Sequence, residues 1–245
     1  MTRRRWIADE VSGDNAALVG AHAAHLARVL RAEVGQEFDI ASDGEVRRGT
    51  ITFISDDRVE FLLGHLLDAD SMSSPSMSNP SITLALAIFK FDRMEWAIEK
   101  CTEIGVARII PVIARRSDAH LAAAAGKRHE RWVRIVRQAS EQSRRAVPPE
   151  MAVPVKLKEL ALPANVSTHV VLAESEKRAG LREVLRLRGA RGDVALAVGP
   201  EGGWADAELT WMRDAGWVAA SLGTNILRAE TAAIVASAIA LDALR

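Results

Sequence analysis

Beyond residue 80 the chain alternates between apolar runs and segments with helical spacing, and this alternation limits the possible fold more than any other feature. SITLALAIF at Ser81–Phe89 is apolar almost throughout, the pattern of a strand covered on both faces. Ala107–Ile113, Val170–Ala173, Val194–Val198 and Val218–Leu222 are further candidate strands. After the first run, Asp92–Glu95 has the D-x-x-E form of a helix start. Met94, Ala97, Ile98, Cys101 and Ile104 then make one helical stripe that Gly105 ends. More helices are predicted over Gly126–Arg145, Asp206–Ala215 and Ala229–Leu244. Strands separated by helices imply a mainly parallel α/β sheet.

Ahead of this pattern lies DADSMSSPSMSNP at Asp68–Pro80, rich in Ser and Pro and without periodicity, which reads as a linker at 71–80. Residues 1–70 form a small β-rich unit, and 81–245 form the α/β domain. Strands are expected at Glu37–Ala41, Val46–Ile54 and Arg58–Leu63, with the turn dipeptide Asp43-Gly44 after the first and a helix over Ala17–Leu30 before it.

Lys+Arg and Asp+Glu are equal at 32 each, so only local asymmetry can speak of partners. The single cysteine, Cys101, excludes a disulfide framework and a cysteine-based zinc site, and its place on the apolar stripe reads as a buried hydrophobe. His22 and His25 lie on one predicted helix without an acidic or cysteine partner, so no metal is expected. The amino terminus lacks a signal-peptide pattern and no window approaches the roughly 18 apolar residues of a membrane span. The expectation is a cytoplasmic protein with no membrane partner.

LAVGPEGGWADAE at Leu196–Glu208 runs from a strand through a glycine-rich turn into a helix, a junction that often holds phosphate. This one does not suit it. Gly199–Trp204 has neither the lysine nor the hydroxyl of a phosphate loop, its glycines lack dinucleotide-binding spacing, and Glu201 would repel an anion. Two glycines bring bare backbone close to a ligand, which suits a neutral heterocycle, and the carboxylate suits one with positive charge. SLGTNILRAE at Ser221–Glu230 is a second strand–glycine–helix junction, and Val170–Ala173 ends in Glu174-Ser175. Ligands bind at the carboxyl ends of parallel strands, so three such loops read as one site.

GPEGG at Gly199–Gly203, Leu222-Gly223 and ILRAETA at Ile226–Ala232 together resemble the SPOUT superfamily of methyltransferases, and within it the ribosomal RNA small subunit methyltransferase E family. HLARVLR at His25–Arg31 with Gly35, KFDRMEWAIEKCTEIGV at Lys90–Val106 and EQSRRAVPPE at Glu141–Glu150 resemble further segments of that family, so the likeness spans the chain. The resemblance implies a PUA-like β-barrel domain before a parallel sheet whose carboxyl-terminal segment forms a trefoil knot. It also implies a homodimer that uses S-adenosyl-L-methionine to methylate N3 of a uridine in the decoding region of 16S rRNA. On this likeness the cofactor contacts fall on Leu172, Glu174, Gly199, Pro200, Glu201, Gly202, Gly203, Leu222, Gly223, Ile226 and Leu227. The sulfonium of that cofactor matches the charge of Glu201. Trp204 and Ala205 stand where the family has Phe and then Ser or Thr, so Ala205 removes the hydroxyl of a capping box with Glu208. Ile104 replaces Leu, and Trp6 replaces Phe after a basic RRR.

An RNA partner needs cationic surface. Lys127–Arg145 holds seven Lys/Arg against Glu130 and Glu141, and Lys177–Arg191 holds six against Glu183. Arg131, Arg134, Gln138, Gln142 and Arg145 fall on one helical stripe opposite Trp132, Ile135, Val136 and Ala139. RNA contacts are expected at His25, Arg28, Arg31, Lys90, Arg131 and Arg134. Methylating N3 requires loss of its proton and alignment with the methyl group, so the target base must be unpaired. Arg145 matches the arginine of the E-Q-S-x-R segment and is the first candidate to orient or stabilise that base. Arg228 is the second, with an alternative role in pairing with Glu230 or Glu201, and Glu230 of the same segment is the third catalytic candidate. A non-catalytic RNA-binding or ribosome-assembly protein of the same fold, and a nucleotide-dependent oxidoreductase, are the competing readings.

Overall fold

The computed structural model describes residues 4–67, 80–188 and 192–244. The predicted linker, Pro80 apart, lies outside the described residues, as does Arg191. The chain divides into two compact units, one of residues 1–77 with 140–148, the other of 78–139 with 149–245.

The first unit is a six-stranded sheet built from β1 (Trp6–Ile7), β2 (Glu10–Ser12), β3 (Asn15–Val19), β4 (Glu37–Ser42), β5 (Glu45–Ile54) and β6 (Arg58–Leu66), in the order β1-β4-β5-β6-β3-β2. Only β1 and β4 run parallel. The helix expected over Ala17–Leu30 is shorter. Its first residues belong to β3, where Ala17 pairs with Glu60 and Leu18 with Val59. Gly20, at φ 57, breaks the chain before helix α1 (Ala21–Ala24), which runs on as a π-helical turn over His25–Val29. The apolar stretch AALV fits either period, and pairing with β6 decides it.

Residues 140–148, placed by sequence in the second domain, pack instead with the first unit. Glu141 is buried there, ion-paired with Arg4 and accepting from the Ile7 N–H at 3.3 Å. Arg5 donates to the Arg144 carbonyl, and Arg144 and Arg48 each lie 3.4 Å from buried Asp39. Paired side chains separated by more than a hundred positions leave no trace in local periodicity.

The second unit is a parallel sheet of seven strands: β7 (Ile82–Ala87), β8 (Arg108–Ile113), β9 (Glu150–Met151), β10 (Val155–Lys156), β11 (Val166–Leu172), β12 (Asp193–Val198) and β13 (Val218–Ala220). The order is β10-β8-β7-β12-β11-β13, with β9 beside β8, so β12 inserts between two earlier strands. Every residue of β7 is buried, as a strand covered on both faces requires. Helices α2 (Phe91–Ile104), α3 (Ala119–Gln142), α4 (Leu181–Leu187) and α6 (Ala229–Ala243) contribute to one core with Leu84, Leu86 and Leu196. Helix α5 (Asp206–Asp214) packs with Ala85, Ala197, Trp204 and Trp217 in a separate core. The alternating side chains of the strands therefore serve two layers.

Several boundaries move for identifiable reasons. Helix α3 begins earlier than expected because the Asp118 carboxylate accepts from the His120 and Leu121 N–H groups at 2.8 and 3.1 Å, which caps it. It ends at Gln142, and Arg144 takes φ 62, so Arg145 leaves the helical stripe assigned to it. Helix α4 was not anticipated. Its basic residues masked Leu181, Val184 and Leu185, which are buried at helical spacing. Among the described residues no helix is long and apolar enough to cross a membrane.

Candidate active site

Three loops leave the carboxyl ends of β11, β12 and β13 and converge on a cleft of about 510 Å3, within the range of roughly 300–1,000 Å3 usual for small-ligand sites. Leu172, Glu174, Gly199, Pro200, Glu201, Gly202, Gly203, Leu222, Gly223, Ile226 and Leu227 all line it, so the residues singled out in three separate segments share one wall. Arg228 lines it as well.

Each loop is held by its own sequence. After β11, the Glu176 carboxylate accepts from the Arg178 and Ala179 N–H groups at 2.7 and 3.0 Å, which lowers its pKa. The same segment is stitched to the loop after β13, where Ser221 N–H donates to the Ala179 carbonyl and Leu181 N–H to the Ser221 carbonyl. The Ser221 hydroxyl then spans Gly223, at 2.9 Å from its carbonyl and 3.1 Å from its N–H, and Gly223 takes φ 126, a conformation that favours glycine.

The loop after β12 closes with Gly203 N–H on the Pro200 carbonyl at 2.8 Å, with Gly203 at φ 68. Gly199 is required by packing rather than by φ. A Cβ there would stand 3.2–3.3 Å from three atoms of the Trp204 indole. The start of α5 keeps half of the capping box. Ala205 has no side-chain acceptor, yet Glu208 still receives the Ala205 N–H at 2.9 Å and also the Arg115 N–H at 2.7 Å.

Two arginines that the sequence reading did not single out organise this wall. Arg116 donates from Nη1 to the Gly202 and Trp204 carbonyls at 3.0 and 3.1 Å, clamping the glycine loop from the β8–α3 connection. Arg93, from the first turn of α2, donates to Glu201 Oε1 at 3.2 Å and lies 3.8 Å from Glu230 Oε1. The pairing expected of Arg228 with Glu230 or Glu201 is thus made by Arg93. Arg228 is exposed and has no ion pair among the described residues. Glu230 is buried and is absent from the cleft lining, so it supports the wall rather than facing a ligand. The signal for Arg93 was its place in K-x-x-R-x-E, and for Arg116 nothing local distinguishes it from its neighbour Arg115.

The other singled-out residues do not line this cleft. Arg145 is half-buried in the first unit, and burial lowers its guanidinium pKa. His25, Arg28 and Arg31 belong to that unit too, with Arg28 paired to Asp56 at 2.7 Å. In the second unit, Lys90 is exposed at the head of α2, Arg131 grips Glu95 with two hydrogen bonds of 2.7 and 2.8 Å, and Arg134 is exposed without an ion pair among the described residues. Cys101 is buried 3.7 Å from the Ser237 hydroxyl, and burial pushes its thiol up to about 12. Among the described residues no group of three or more His, Cys, Asp and Glu gathers to hold a metal.

Comparison with known proteins agrees with this geometry. The family model of an RNA methyltransferase domain matches residues 77–241. A ribosomal RNA small subunit methyltransferase E of Synechocystis is 31% identical over 219 residues, covering 87% of this chain and 68% of its own length. The protein of that name from Bacillus subtilis is 30% identical over 226 residues, covering 89% and 86%. A crystal structure of the same enzyme from Neisseria gonorrhoeae, bound to S-adenosyl methionine, superposes with a TM-score of 0.82 at 29% identity over 96% of this chain and 95% of that one. The cleft at the strand ends, its glycine wall and these likenesses over nearly the whole chain lead to one conclusion: the chain belongs to the ribosomal RNA small subunit methyltransferase E family.

Proposed function

We propose that this protein transfers a methyl group from S-adenosyl-L-methionine to N3 of a uridine in the decoding region of 16S rRNA, acting in the cytoplasm as a homodimer. The observation that carries the reading is the convergence of the three loops on one cleft, in a chain of this family. The donor set fits the cofactor. Gly199, Gly202 and Gly223 present backbone, while Leu172, Leu209 and Leu227 offer apolar surface for a heterocycle, and Glu201 supplies a carboxylate. When bound, the cofactor supplies an electrophilic methyl group on a sulfonium. The finer architecture of the reading is a PUA-like barrel for the first unit and a trefoil knot for the second. Insertion of β12 between β7 and β11, and the bridge of Gly180 to Ser221, support the threading.

The chemistry asked of the protein is modest. Uridine N3 would give up its proton to a base or to solvent and take the methyl group that the bound cofactor would supply, the carbon–sulfur electron pair staying on sulfur. Loss of the proton leaves negative charge shared with the uracil oxygens, where a fixed guanidinium stabilises it until the methyl group is taken up. In this reading Arg228, on the cleft, and Arg145, from the E-Q-S-x-R segment, hold and stabilise the base. His25, Arg28, Arg31, Lys90, Arg131 and Arg134 take RNA phosphates, a contact weakened by salt.

The test is transfer of labelled methyl from S-adenosyl-L-methionine to small subunits that lack the modification, with nucleoside analysis of the product. Labelled 3-methyluridine is expected. A bound cofactor with unlabelled rRNA would refute the catalytic reading and leave an RNA-binding protein. Arg145→Ala is expected to lower transfer far more than cofactor affinity, and equal losses would move Arg145 out of the substrate role.

A further inference from the structure

Resting on the methyl-donor reading of the cleft, we infer that Arg93, Glu201 and Glu230 form a charge-selective cluster that makes the cleft prefer the cationic methyl donor over its neutral thioether product. One guanidinium stands between two carboxylates, at 3.2 Å from Glu201 and 3.8 Å from Glu230. One positive charge against two negative ones leaves the cluster with one net negative charge. Its members grade from interior to cleft, with side-chain exposures of 8% for Glu230, 32% for Arg93 and 41% for Glu201. Arg93 and Glu201 line the cleft, while Glu230 lies one ion pair behind them.

Two observations separate this cluster from an ordinary surface network. Oε2 of Glu230 is buried and has no hydrogen-bond partner, and the one ion pair of Glu230 among the described residues is with Arg93 at 3.8 Å, beside the start of α6. A buried carboxylate in this condition costs stability. Moreover, the remaining charged residues on the cleft, Arg116, Lys177 and Arg228 against Glu174 and Asp206, are all exposed and screened by water. Of the charged residues in the cleft wall or directly behind it, the most deeply buried is Glu230, so the least-screened charge there is negative. Transfer of the methyl group turns a sulfonium into a thioether and removes one unit of positive charge from the ligand. A fixed negative charge gains with the first and is indifferent to the second, so it favours donor entry and product release.

The test is titration calorimetry of S-adenosylmethionine and S-adenosylhomocysteine against the same preparations. The readout is the ratio of their affinities, in which structural damage common to both ligands cancels. Glu201→Gln and Glu230→Gln each remove a negative charge and are expected to lower the donor-to-product ratio about tenfold, the scale of one partly screened unit charge. Arg93→Met removes the positive charge and is expected to raise it several-fold. Opposite signs in the two classes of variant are the signature. If Arg93→Met does not give a cooperative melting transition, the two carboxylate variants decide alone. Both ligands bound with an unchanged ratio in the variants would overturn the inference and leave the methyl-donor reading standing. Neither ligand bound by the unaltered protein would overturn the reading and the inference together.

Discussion

Gly199 offers a quantitative test of how the glycine wall is built. A Cβ at this position meets Nε1, Cδ1 and Cε2 of Trp204 at 3.2, 3.3 and 3.3 Å, inside the roughly 3.5–4.0 Å optimum for such contacts. The indole would have to shift by a few tenths of an ångström, against its packing in the core that includes Ala197, Met212 and Trp217. Overpacking of this kind costs about 1–3 kcal/mol. Gly199 is not among the glycines with positive φ, so alanine also removes unfolded-state freedom and recovers about 0.4–1 kcal/mol. Gly199→Ala should therefore destabilise by about 0–2.6 kcal/mol net, with a midpoint of about 1.3 kcal/mol.

Trp204→Phe removes Nε1 and Cε2 and with them most of the clash. It also sheds an indole N–H that is buried without an acceptor, an arrangement that costs about 1–3 kcal/mol. The lost ring area is thus largely offset, and the single change should be nearly neutral. In that background Gly199→Ala should be neutral or slightly stabilising. The assay is urea unfolding of the four proteins of the double-mutant cycle, with S-adenosylmethionine titrated against each, because both residues line the cleft. A coupling of about 1 kcal/mol or more is expected. Additivity within about 0.5 kcal/mol would refute the claim that Gly199 is required by the Trp204 ring.

Three further predictions concern stability. Ala205→Ser restores the missing half of the α5 capping box and should stabilise by about 0.5–1 kcal/mol. Glu208→Ala removes the acceptor of the Ala205 and Arg115 N–H groups and should cost about 1–2 kcal/mol, both read as shifts of the thermal midpoint. For Cys101, burial raises the thiol from 9.0 to about 12, so its contribution is fully present below pH 9 and is lost as pH rises toward 12. The stability advantage of the unaltered protein over Cys101→Ala should shrink by about 2 kcal/mol between pH 8 and 10.5, and native protein should resist iodoacetamide at pH 8. A difference that does not vary with pH would refute the burial argument.

What the sequence made legible was whatever depends on neighbours along the chain. The apolar stripe of α2 and the buried run of β7 follow from periodicity, and Met94, Ala97, Ile98 and Cys101 are buried as their spacing requires. The glycine wall was readable because the absence of lysine and hydroxyl, and the presence of Glu201, are local facts that exclude phosphate. Its three segments meet because parallel strands place their carboxyl ends on one edge.

Tertiary structure decided everything that depends on partners distant in sequence. AALV at residues 16–19 became a strand because β6 lay beside it, and residues 140–148 joined the first unit through Glu141, Arg144 and their partners. The meaning of Glu201 changed most. Read alone, it was a free carboxylate awaiting a cation. In the fold it already holds Arg93, 108 positions away, which also reaches toward Glu230. A side chain's charge is written in the sequence, but its partners and its exposure to water are set by packing, and these determine what that charge can do.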